Sequence, residues 1–209
     1  MRLFASALSL VAGYVDSVGF MITGGFFVSF MSGNTTRLGV GLATDAHHAL
    51  FAFGLIASFV LGAMAGAALG RLLRAQRAFA VLSMVAVVLL AAAGLASSGF
   101  VQFAIPLLAF AMGAENTVFA EDGEVRIGLT YMTGALVKLG KRLTAALFGE
   151  DRGGWAPYLL LWLALAVGAA LGALSYRWFG VTALWAGALA TVLLSALAPR
   201  LRMTSVDAG

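Results

Sequence analysis

The chain reads as an all-α integral membrane protein with six transmembrane helices, and three observations carry that reading. Hydrophobic residues make up 62% of the 209 residues and charged residues only 11%, too apolar a mixture for a soluble domain. The apolar residues fall into six runs near 20 residues, the length that crosses a hydrocarbon core of about 30 Å at 1.5 Å per residue. A polar, glycine-punctuated string, Phe30-Met31-Ser32-Gly33-Asn34-Thr35-Thr36-Arg37-Leu38-Gly39, returns about a hundred residues later as Tyr131-Met132-Thr133-Gly134-Ala135-Leu136-Val137-Lys138-Leu139-Gly140. Met, Gly, Leu and Gly recur, and Phe/Tyr, Ser/Thr and Arg/Lys are conservative pairs.

The first run, 3–22, follows Arg2 and has the outline of a secretory leader. It leads into Gly13-Tyr14-Val15-Asp16, however, which resembles Gly113-Ala114-Glu115-Asn116 in the second half, so we expect a retained span. After Gly24-Gly25, residues 26–30 are aromatic and β-branched and predict a short strand-like stretch. Ser32-Gly33-Asn34 then offers helix-capping chemistry before Leu38, Val40 and Leu42. Runs 50–70 and 78–96 complete the first half. The second half repeats the order: run 101–120, with Pro106 as a kink; an extended stretch at 125–131; Thr133-Gly134 as cap of a helix over 135–147; and runs 155–176 and 181–198. Gly62, Gly66 and Arg71 align with Gly168, Gly172 and Arg177 at one constant offset. A single membrane domain, 1–209, therefore divides into repeats 1–99 and 100–209.

Arg71, Arg74 and Arg77 lie between the second and third spans and mark that link as cytoplasmic. If the polar element does not cross, Arg2, the basic residues of 126–152, Arg200 and Arg202 fall on the same side. Each half then has three crossings and the two repeats are inverted, with both termini cytoplasmic in a multi-pass protein. Each polar element becomes a re-entrant half-helix, tolerated at membrane depth only where protein or a water-filled cavity surrounds it. Two such N-termini facing each other near the midplane would present unpaired N–H groups and partial positive charge, which attract an anion.

Ser32, Gly33, Asn34, Thr133 and Gly134 are thus the expected substrate contacts, with Arg37 and Lys138 one turn into each half-helix as a basic rim. A charge at the bilayer centre costs about 2.5–3.5 kcal/mol on insertion scales, so each needs a partner or a cavity. The competing readings are ion pairs to Asp16 and Glu115, or snorkelling to an interface. Asp16 and the Glu115-Asn116 pair are in turn candidates for proton or cation coupling, or else caps where their spans end.

Other features point to packing. Gly62, Gly66 and Gly70, and Gly168 with Gly172, form small-residue stripes that serve close helix packing within the protomer or a homodimer. Trp155, Tyr158, Tyr176 and Trp178 suit interfacial belts. His47-His48 beside Asp45 reads as a solvated loop, and Glu121-Asp122-Gly123-Glu124 as a hydrated acidic turn or a vestibule gate. No cofactor, metal site, nucleic-acid surface or catalytic constellation is expected, and the chain has no cysteine.

The strings Ala12-Gly13-Tyr14-Val15-Asp16-Ser17-Val18-Gly19-Phe20 and Gly25-Phe26-Phe27-Val28-Ser29-Phe30-Met31-Ser32-Gly33-Asn34-Thr35-Thr36 resemble the signature of the YoaK-like family of bacterial inner-membrane proteins. The resemblance covers nearly the whole chain and brings no known activity. More distantly, a short strand leading into a half-helix, used twice in inverted repeats, resembles the transport core of sulfate and uracil permeases, which are longer and carry a separate gate domain. That likeness implies substrate between the two half-helix tips and rests on architecture alone. The function expected is a small secondary transporter or channel for a small-molecule or inorganic anion, with the bilayer as its other partner. The runner-up is a proton- or cation-coupled carrier of a neutral solute using Asp16 and Glu115, and the third reading is a membrane scaffold that transports nothing.

Overall fold

A computed structural model describes residues 2–121, 124–125, 130, 132–150 and 153–206. Among these described residues eight α-helices follow in order: α1 (Arg2–Thr23), α2 (Met31–Thr44), α3 (Ala46–Leu72), α4 (Arg77–Ser97), α5 (Val101–Glu115), α6 (Met132–Leu147), α7 (Ala156–Phe179) and α8 (Leu184–Val206). Two two-residue strands, β1 (Ala120–Glu121) and β2 (Glu124–Val125), pair antiparallel between α5 and α6. The stretches Leu3–Thr23, Ala46–Leu72, Arg74–Ser97 and Ala156–Pro199 are long and apolar enough to cross a membrane. Gly180, at φ +58°, and the 3-10 turn Gly180–Ala183 divide the last of these into α7 and α8. The six expected runs thus correspond to α1, α3, α4, α5, α7 and α8, and the chain is a largely helical membrane protein.

Glycines decide how the helices meet. A Cβ on Gly13 of α1 would overlap the Leu165 carbonyl of α7, and one on Gly168 or Gly172 would overlap the Leu10 and Tyr14 carbonyls of α1. The same pattern joins α5 to α3: Gly113 lies on the Phe59 carbonyl, Gly62 on the Phe110 carbonyl and Gly66 on Thr117 and Ala114. Glycine is required here because two helix backbones approach to contact. In both pairs the contact positions rise together along the two chains, so α1 runs parallel to α7 and α3 parallel to α5. Helices α4 and α8 pack antiparallel, since Trp185 at the start of α8 donates to the Ser97 hydroxyl at the end of α4 (3.0 Å).

Leu8, Leu82, Leu89, Leu108 and Met112 fill the interior. Apolar side chains also cover the outside, with Leu171, Leu174 and Leu193 near half exposed or more. A surface of that kind is stable facing lipid and not water.

Four expectations need correction. Residues 26–30 form no strand, because no second chain offers them a ladder; their backbone groups bond to side chains instead. Helix α2 begins at Met31 with Phe30 in the capping position and no side-chain cap, so Ser32, Gly33 and Asn34 lie inside its first turn. In the second half α6 begins at Met132, which puts Thr133 and Gly134 inside that helix too, while most of the expected stretch 125–131 lies outside the described residues. The fourth run stops being helical at Glu115, and turns occupy 116–119. His47 and His48 belong to the first turn of α3, where the Asp45 carboxylate caps the His47 amide (2.9 Å) and meets the His48 imidazole (2.7 Å). The His47 amide, and then His48, hold the exposed Asp45 carboxyl below its ordinary value. In the acidic turn, residues 122–123 lie outside the described residues.

Candidate functional site

Gly24 (φ +67°) and Gly25 (φ +126°) end α1 in conformations that other residues resist, and the chain turns back along the helix it has just left. Every backbone N–H from Gly25 to Ser29 then finds a partner. Gly25 donates to the Phe20 carbonyl (2.9 Å) and Phe26 to the Thr23 hydroxyl (2.9 Å). Phe27 donates to Asn34 Oδ1 (3.0 Å), whose amide donates back to the Phe27 carbonyl (2.6 Å). Val28 and Ser29 both donate to Asp16 Oδ1, at 2.8 and 2.6 Å. This complete accounting lets non-helical backbone exist beside an apolar helix. Asp16 precedes the end of α1 by seven residues, so residues 28–29 have returned about 10 Å along it.

The second half repeats the fastening. Asn116 Oδ1 accepts from the Thr130 amide (3.4 Å) and hydroxyl (3.1 Å), and its own amide donates to the Met112 carbonyl (2.9 Å). Asp16 and Asn116 differ by 100 positions, Ser29 and Thr130 by 101, the same one-residue slip that separates the two sequence motifs. An amide stands where the first half has a carboxylate.

Arg37 sits seventh in α2, nearly two turns in, because the helix starts earlier than the motif suggests. Its side chain leans back toward the helix N-terminus. The guanidinium carbon lies 5.1, 5.9 and 6.0 Å from the ring centroids of Phe26, Phe27 and Phe20. A Cβ on Gly25 would come within 3.2 Å of its terminal nitrogen. Arg37 is half-buried and forms no ion pair among the described residues, Asp16 being engaged by backbone instead. Ser32, Thr35 and Thr36 are exposed on α2, while Asn34 is buried. Gly33 is a packing glycine: a Cβ there would meet the Phe30 and Phe27 rings at 2.6 and 2.8 Å.

Lys138 of α6 is exposed, with its Nζ 6.0 Å from the Tyr158 ring, and Thr133 and Gly134 are exposed nearby on the same helix. Helix α2 packs along α3 and α6 along α7, without extensive packing of α2 on α6. The structure thus gathers Asp16, Asn34 and Arg37 around the segment 25–30. It holds Asn116 on Thr130 and leaves Thr133, Gly134 and Lys138 on a separate helix. Glu115 is 1% exposed, and neither carboxylate oxygen has a hydrogen-bond partner.

Sequence reasoning missed the rings of Phe20, Phe26 and Phe27 and the bonding of Asn34 to Phe27. The adjacency of Phe26-Phe27 to a double glycine was the available signal. A separate cleft of about 400 Å³ lies between the first turns of α3 and α5, lined by His47, Phe51, Gly54, Ser58 and Gln102 among others.

A family model described as "Protein of unknown function (DUF1275)" matches residues 4–197. A UPF0700 transmembrane protein of Rhizobium meliloti (strain 1021) is 40% identical over 194 residues, covering 92% of this chain and 84% of the relative. No solved structure matches the chain.

Proposed function

Starting from a chain that belongs to the DUF1275 family, we propose a small transporter or channel for an anion, with no catalytic activity, built as two inverted repeats of three crossings. Helix direction supports the topology. Parallel α1 and α7, parallel α3 and α5, and antiparallel α4 and α8 are together consistent with α2 and α6 both failing to cross. If both crossed, α4 and α8 would run the same way. If only one crossed, α1 and α7 would be antiparallel. The arginines at 71, 74 and 77 favour a cytoplasmic link between α3 and α4, hence cytoplasmic termini, and spans that are helices suit a bacterial inner membrane.

The observation that carries the anion reading is Arg37. A guanidinium held over three rings, beside backbone that only glycine permits, and without a carboxylate partner among the described residues, is a preformed positive site inside an apolar protein. The exposed hydroxyls of Ser32, Thr35 and Thr36 line the same helix. Lys138 supplies charge at the equivalent position of α6. The coupling role of Asp16 loses support, because its carboxylate already serves two backbone amides.

Thermal melts of the purified protein against inorganic anions, small carboxylates, nucleobases and neutral solutes test this. An anion at about a hundred times its Kd adds about 2.7 kcal/mol, and Arg37→Ala should remove that gain. A neutral solute that stabilises both proteins equally would refute the anion assignment. No shift with any compound would favour the scaffold reading.

A further inference from the structure

In the repeated frame, one carboxylate has moved. Position 15 of α1 is Val and position 16 is Asp; the equivalents on α5 are Glu115 and Asn116. The fastening duty of Asp16 passes to a neutral amide, and the acid appears one residue earlier, where the first half has a fully buried valine. That single step turns the side chain about 100° around the helix. Gly113, two residues before it, faces α3, so Glu115 points away from α3 into the bundle. Its two oxygens have no partner there.

The helix ends at this residue. Whereas α1 continues seven residues past Asp16, α5 gives way to turns at 116–119, held by Asn116 on Met112 and by Thr117 on Ala114 (2.8 Å). Buried Asn116, Thr117 and Thr130 form a polar cluster next to the acid, just ahead of α6. The titratable and charged side chains on the elements packed against α5 are His47, His48 and Arg71 of α3, Arg77 of α4, and Arg2, Tyr14 and Asp16 of α1. None of them hydrogen-bonds or ion-pairs with Glu115. An ionised carboxylate sealed in that setting would be strongly disfavoured, whereas a neutral carboxyl is tolerated.

We propose that Glu115 is an exchangeable proton site that couples proton movement to the transport cycle. This rests on the transporter reading above and names its coupling ion. The carboxyl is neutral while α5 is packed shut; when the end of α5 opens to water it releases one proton and becomes a carboxylate. Resealing requires that a proton be taken back, so a monovalent anion travelling with that proton leaves the net charge of the loaded protein unchanged.

Infrared spectroscopy of the full-length protein in a detergent without carbonyl groups tests the site without any substrate, so its result stands apart from the anion screen. Wild type should show the carbonyl band of a protonated carboxylic acid at neutral pH. The band should shift on transfer to D2O, as the proton exchanges, and vanish on alkalinisation. Glu115→Gln should lack it, Asp16→Asn should keep it, and Glu115→Asp should move its position. A wild-type spectrum without the band, a band that persists in Glu115→Gln, or one that never shifts in D2O would each overturn the proposal. The D2O shift is read on wild type alone, which covers the case in which the glutamine variant fails to fold.

Discussion

At the residue scale, Asp16, Asn34 and Asn116, all singled out by the sequence, hold the non-helical backbone that follows α1 and α5. Asp16 accepts from two amides, and Asn34 clasps Phe27 on both sides. Because Asn116 does the same work in the second half with no charge, the useful property of Asp16 is its acceptor oxygen. Asp16→Asn should therefore melt close to wild type, whereas Asp16→Ala strands two amides at about 1–3 kcal/mol each and should melt far lower. Equal losses in the two variants would show that the charge itself matters. The residue types and their positions were legible in the motif. Which oxygen meets which amide was not, since that depends on how far the chain folds back after Gly24-Gly25.

At the scale of elements, run lengths and the repeat placed all six apolar helices, with α5 ending early at Glu115 and α8 running on to Val206, past the expected end at 198. That early end was hidden because Val118, Phe119 and Ala120 continue the apolar run; the polar contacts of Asn116 and Thr117 accompany the end of the helix. The capping error has a similar origin. Ser32 and Asn34 are good caps in isolation, but Asn34 is taken by Phe27, and the helix extends back to Met31. The glycine stripes were read correctly as close-packing surfaces, though not which helix faces which. Gly13→Ala and Gly113→Ala should destabilise by similar amounts, since each new methyl meets a carbonyl of the facing backbone. Gly54→Ala and Gly94→Ala, with nothing within 4 Å of the added carbon, should be neutral or slightly stabilising in the same melts. If all four behave alike, the parallel pairs α1–α7 and α3–α5 are misassigned.

On the scale of the whole molecule, the helix pairs interlock the two halves: the first helix of each packs on the third element of the other. In this arrangement α2 packs along α3 and α6 along α7. The proposed transport, anion site at Arg37 and proton site at Glu115 all require that α2 and α6 double back without crossing. The chain contains no native cysteine, so single cysteines report position cleanly. The decisive measurement is labelling by a membrane-impermeant maleimide in intact cells, with one cysteine at a time replacing Gly24, Ala46, Gln76 or Gly149. Positions 24 and 46, on either side of α2, should both label from outside, while 76 and 149 should label only after the membrane is opened. Labelling of 24 and 46 from opposite sides would mean that α2 crosses, and the account would fail.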